Sequence, residues 1–225
     1  MKVVTNRFGF YTALVAFLAA SGYCVVQVLQ VFDFIRFPVA DILIYGFSLF
    51  IAVPFMLSIL ALHHSVPFGK KIWSHASLVL AVMYAVYASF VYVVQLATVV
   101  PKMIDNNSGS IQVLVMEPHS FFWSLDALTY ICMGLSTLFG AFAFQKEGKE
   151  RIVRWFFLAN AMLTPIVGFV YFFPEFSTSL LWIASPWMVT APGSMLLLAL
   201  YFRKRQTRER IEVNYKTELV EVWEE

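Results

Sequence analysis

Six apolar runs, each long enough to cross a bilayer as a helix, fix most of what this chain can fold into. A spanning helix needs about 20 consecutive apolar residues to cover roughly 30 Å of hydrocarbon. Lipid offers the backbone no hydrogen-bond partners, so only helices and closed barrels satisfy it there. The runs lie at about 9–32, 41–63, 72–100, 119–144, 152–173 and 178–202, with ends placed to within roughly two to four residues. The expected fold is an all-α polytopic bundle over residues 1–202, followed by a charged tail, 203–225. Composition agrees: 13% of residues are charged, against about 25% in a soluble domain.

The gaps between runs sort the charge. Of sixteen Lys and Arg residues, only Arg36 and Lys102 fall in alternate gaps. The rest sit with the N-terminus, at Lys70 and Lys71, at Lys146, Lys149, Arg151 and Arg154, and in the tail. Basic residues near a span resist translocation, so both termini are expected in the cytoplasm. Size and pattern are those of short six-span proteins of prokaryotic membranes, and the expected location is the plasma (inner) membrane. The net charge of +2 follows the membrane side, so no nucleic-acid partner is expected. Lys2 and Arg7 precede an apolar run far longer than a signal-peptide core, and the first helix is read as retained.

Two connections carry more than a turn. Residues 101–118 hold the cluster Asp105-Asn106-Asn107-Ser108-Gly109 and then the apolar stretch Ile111–Met116. That stretch reads as an interfacial loop or as a lid dipping over the outer face. Asn106-Asn107-Ser108 matches a glycosylation acceptor, which matters only in a secretory-pathway host. The tail reads as a strand, a helical extension or disordered chain. A three-plus-three inverted repeat is suggested by Pro54 and Pro165, each in the second helix of its half. The first and fourth runs show no similarity to support it.

Placed at about 100° per residue, the polar and small residues of each run fall on single stripes. The third run gives Ser74, Ser77, Ala81, Tyr84, Ala88, Tyr92 and Gln95; the fourth gives His119, Trp123, Asp126, Tyr130 and Thr137. The first gives Ala13, Ala16, Ala20, Tyr23 and Gln27, the second Asp41, Tyr45, Ser48 and Ala52, and the fifth Asn160, Thr164, Gly168 and Tyr171. Lipid cannot satisfy such groups, so the stripes must face the interior. For most of them helix packing is a sufficient account, as for the small pair Ser136 and Gly140.

Asp126 is different, being the one carboxylate well inside a run. Placing it there costs on the order of 2.5–3.5 kcal/mol even on the insertion scale. That cost implies a partner, a water-filled cavity or a bound proton. No Lys or Arg lies at matching depth, whereas Gln95 and Gln27 do, and Tyr130 sits one turn away on the same face. The expected site is an outward-half pocket of Asp126, Gln95, Tyr92, Tyr130 and Gln27, walled by Tyr45 and Tyr171. A carboxylate among aromatic rings suits a cationic or amphipathic ligand. The structural alternative is an Asp126–Gln95 hydrogen bond bracing two helices.

No catalytic motif, phosphate loop or CxxC pair is present, and no cofactor or metal is expected. Cys24 and Cys132 lie in apolar runs and read as packing groups. His63, His64 and His75 read as solvated interfacial groups, with His75 facing away from its helix's polar stripe. Three functional readings follow. The first is binding or translocation of a small ligand, with a homodimer expected for a transporter of so few spans. The second is an interaction protein docking a cytoplasmic partner through its tail. The third is an embedded enzyme acting on a lipid or quinone through Asp126 and Tyr130.

Overall fold

In the computed structural model the backbone is described for residues 2–224 except 107, 108, 110 and 176. At 2, 178, 181, 209, 210 and from 212 onward the description is of the backbone alone. Six helices are long and apolar enough to cross a membrane. The elements are α1 (Lys2–Val31), α2 (Val39–Ser65), α3 (Lys71–Val94), α4 (Val100–Ile104), α5 (Phe121–Ala141), α6 (Arg151–Phe172), α7 (Thr178–Ala184) and α8 (Trp187–Glu224).

Three boundaries depart from the sequence reading. The third span runs from Phe68 to Ile104, because a π turn at Gln95–Val99 carries α3 into α4 without a break. The last run is two helices: Pro186 lacks an N–H and suits the first turn of a helix, so the chain restarts there as α8. The fourth run is shorter than expected. His119, at φ 66°, lies before α5 and is exposed, while the Ser120 hydroxyl caps the helix by accepting from Trp123 N at 3.2 Å. The tail continues α8 as helix to Glu224.

Each span packs against its neighbours in sequence, and α8 closes on both α6 and α1. The result is a ring of six helices with one shared interior. Lining that interior are the stripes: every member of the α3 set is buried, as are Ser48, Ala52 and Thr137. The outer faces expose Phe50, Val86, Met162 and Phe169 instead. An apolar exterior around an interior that mixes apolar side chains with polar stripes fits a lipid surround.

Short polar bonds lock adjacent helices at close approach. The Ser77 hydroxyl donates to Ser136 O at 2.7 Å and the Ser136 hydroxyl returns to Ser77 O at 2.8 Å, tying α3 to α5. Asn160 joins α5, α6 and α8, donating to Thr137 Oγ1 at 3.2 Å and accepting from Thr190 Oγ1 at 3.1 Å. The start of α1 and the end of the apolar part of α8 lie at one end of the ring, since Gly9 of α1 faces the Phe202 ring of α8.

Most of the cations gather at that same, basic end, and some close helix termini there. Lys70 donates to Ala143 O at 3.1 Å and Phe144 O at 2.7 Å beyond α5, and Arg205 donates to Ser65 O of α2 at 2.7 Å. Lys71 donates to His63 O. Orphan carbonyls and the negative dipole end both favour cations at helix C-termini. At the opposite end Arg36 lies 3.3 Å from Asp33, so one of the two exceptions to the charge sorting has a neutralising neighbour.

Candidate functional site

Asp126 sits on the inner face of α5 and is 4% exposed. Tyr92 of α3 donates its hydroxyl to Asp126 Oδ1 at 2.6 Å, and Tyr171 of α6 donates to Oδ2. Thr129 adds a longer contact to Oδ1 at 3.5 Å, its hydroxyl chiefly serving the Asp126 carbonyl at 2.7 Å. One carboxyl group thus links three helices, with both oxygens engaged. Tyr171 is held in turn by Trp123, whose indole N–H donates to Tyr171 O at 2.9 Å and whose ring lies 4.4 Å from the Tyr171 ring.

The other expected members divide. Tyr45 is buried and stacks on Tyr92 at 6.2 Å, supporting the first donor from α2. Tyr130 does not reach Asp126. Its hydroxyl donates to Tyr23 at 3.5 Å, because a tyrosine's length carries the group past its helical neighbour toward α1. Gln95 does not reach Asp126 either, and the Asp126–Gln95 brace is replaced by the two tyrosines. Gln95 is fully buried and donates to Leu114 O at 2.7 Å. The loop after α4 therefore folds back over the bundle, with Ile111 2% exposed. The acceptor sequence at Asn106-Asn107-Ser108 falls partly outside the described residues.

Gln27 lines a separate feature, a cavity of about 140 Å³ at the end opposite the termini. Its walls come from the C-terminal ends of α1 and α6, Tyr130 of α5, the α7 segment and the start of α8. Val28, Val31, Val167 and Met188 make much of it apolar, and polar groups enter from Tyr23, Gln27, Tyr130 and Tyr171. Trp187 stands edge-on to Tyr23 at 5.7 Å and to Tyr130 at 5.3 Å, and Tyr130 lies 5.8 Å from Tyr171. Trp187 was missed in the sequence because it belongs to no stripe; the signal was Pro186 directly before it.

Tyr171 belongs to both features. Its ring faces the cavity and its hydroxyl holds Asp126. Deeper in the ring, a void of about 10 Å³ lies among Tyr23, Ser48, Tyr84, Tyr92, Tyr130 and Trp187, too small for a ligand.

At the basic end His63 lies 5.6 Å from both His64 and His75 by ring centroid. The short turn between α2 and α3 brings their outward faces side by side, which helix-by-helix face counting did not show. His63 Nδ1 pairs with Ser74 Oγ at 3.0 Å. Among the described residues no group of three His, Cys, Asp or Glu side chains is placed to hold a metal ion. Cys24 and Cys132 are free thiols.

Fold and site together define a bundle of helices long and apolar enough to cross a membrane, with an aromatic cavity backed by a buried carboxyl group. No protein family, curated protein or solved structure shows a significant match to the chain.

Proposed function

We infer that the protein is a membrane protein, basic end in the cytoplasm, that binds a small amphipathic cation in the aromatic cavity at its outward end. The carrying observation is that Tyr171 forms the cavity wall while donating its hydroxyl to Asp126. The rings of Tyr23, Tyr130, Tyr171 and Trp187 line the cavity and can attract a cation, and the carboxyl group behind Tyr171, ionised when a cation is bound, adds a favourable field. A cavity of about 140 Å³ holds a group of about benzene's size, which sets the scale of the ligand's head. The apolar wall receives the rest of the molecule.

The test is thermal unfolding in nanodiscs with benzyltrimethylammonium as the probe. The expected result is a higher midpoint for the wild type, with binding weakened about tenfold or more in Asp126→Asn, which keeps the shape and hydrogen-bonding capacity of the side chain. An unchanged wild-type midpoint, or equal stabilisation of Asp126→Asn, overturns the reading.

A second reading rests on the extension of α8 as helix to Glu224, beyond its apolar part. A helix projecting past the bundle is suited to docking a cytoplasmic partner. Truncation after Arg205 is expected to leave benzyltrimethylammonium binding intact and to remove pull-down of such a partner from its host. Full retention of that partner would exclude the tail.

A further inference from the structure

The basic end contains a larger cavity that the outward site does not use. Its volume is about 920 Å³, within the range of about 300–1,000 Å³ typical of small-molecule sites. It is framed by Thr5 and Asn6 of α1, the α2–α3 turn, the segment after α5, and Tyr201, Arg205 and Arg208 of α8. Among the described residues the charged groups in its walls are Lys70, Arg205, Arg208 and one carboxylate, Glu150, with His64 beside them. The charge is therefore cationic whatever the state of His64.

We propose that this cavity binds a phosphate ester bearing hydroxyl groups, either a soluble metabolite or a lipid headgroup.

Two of its cations are already oriented. The bonds of Lys70 to Ala143 O and Phe144 O, and of Arg205 to Ser65 O, fix their heads at the rim. An ammonium carries three donors and a guanidinium five, so these bonds leave donors on both groups. Arg205 is further held over the Tyr201 ring at 4.9 Å. Pre-oriented guanidinium groups match oxyanions, and three cations need more acceptor oxygens than one carboxylate provides. A phosphate supplies them.

The second observation is Asn6. It lines the cavity, is 2% exposed, and its Oδ1 has no hydrogen-bond partner. A buried amide oxygen without a partner is destabilising, and a ligand hydroxyl would satisfy it. Glu150 spends one carboxylate oxygen on Gln145 N at 2.9 Å, and its other oxygen is a second acceptor for such a hydroxyl. The ligand thus carries acceptors toward α8 and donors toward α1 and Glu150.

The experiment uses the full chain in nanodiscs and reads the unfolding midpoint. One arm adds glycerol 1-phosphate to phosphatidylcholine discs, with succinate and sulfate at equal ionic strength as controls. The other replaces phosphatidylcholine by phosphatidylglycerol with no soluble ester. Stabilisation in the first arm identifies a soluble ester, and stabilisation in the second alone identifies a lipid headgroup. In either case Arg208→Gln, an exposed position that leaves both helix-closing bonds in place, is expected to weaken binding about tenfold or more. Asn6→Asp, which keeps the side chain's shape and adds a negative charge, is expected to do the same. No stabilisation in either arm, an equal effect from succinate or sulfate, or an effect that survives both substitutions overturns the proposal.

Discussion

Asp126→Leu is expected to lower the stability of the bundle by about 2–4 kcal/mol, because the hydroxyls of buried Tyr92 and part-buried Tyr171 lose their acceptor together. The size of the effect follows from what is left behind. Each hydroxyl stranded in a dry interior costs about 1–3 kcal/mol, whereas an intact interhelical bond between spans adds only about 0.6 kcal/mol. The carboxyl group therefore matters more through its absence than through its presence. Thr129 is spared, since its hydroxyl keeps the backbone carbonyl at position 126.

That asymmetry gives the test its discriminating form. Removing all three polar groups in Asp126→Leu, Tyr92→Phe, Tyr171→Phe leaves nothing stranded, so the triple variant is expected to be more stable than Asp126→Leu alone. Denaturation followed by tryptophan fluorescence in detergent checks both. If the single and triple variants unfold alike, the loss in Asp126→Leu arises from packing, and the hydrogen bonds do not brace the three helices. Asp126→Asn stands apart: its amide can accept from one tyrosine and donate to the other, so stability stays within about 1 kcal/mol of wild type. This separation of stability from charge is what allows Asp126→Asn to report on ligand binding.

Much of this site could be read from residue order, and the part that could not has a physical cause. The bilayer imposes a length and a period, so six long apolar helices and much of their buried faces were legible; the stripe members Ser74, Ser77, Ala81, Tyr84, Ala88, Tyr92 and Gln95, from α3 into the π turn, are all buried. Depth set Gln95 and Gln27 level with Asp126, yet neither bonds to it; the donor from α3 is Tyr92, which the α3 stripe had placed on the inner face. Contact was not legible. Tyr130 shares a helix face with Asp126 yet bonds to Tyr23, because face and depth locate a Cβ while a long side chain chooses among several neighbours. Gln95 was captured by Leu114 O, an acceptor in a non-periodic loop that no stripe announces. The π turn beginning at Gln95 compounds this, since an inserted residue changes which face the following positions present. The cavity at the basic end escaped altogether: its residues come from four chain segments, and each cation looked like part of a topological signal.

Gly134→Ala is expected to disrupt the same site from about two turns away. A Cβ at Gly134 would run directly into Thr164 Oγ1 and stand 2.8 Å from Thr164 Cβ. Rotating the threonine cannot relieve the second contact, so α5 and α6 must separate. Overpacking of this kind typically costs about 1–3 kcal/mol. The α5–α6 interface is antiparallel, and its polar contacts lie in register on either side of this point: Asp126 with Tyr171 toward the cavity of Tyr23 and Trp187, Thr137 with Asn160 toward the basic end. Spreading the helices at Gly134 therefore loosens the Tyr171–Asp126 bond, and benzyltrimethylammonium stabilisation is expected to fall along with the midpoint. Thr164→Gly in the same chain removes the obstructing side chain and is expected to restore much of both, beyond what the two single changes would give if they added. Strict additivity of the two substitutions would mean that Gly134 and Thr164 do not meet, and that the spacing of α5 and α6 is set elsewhere.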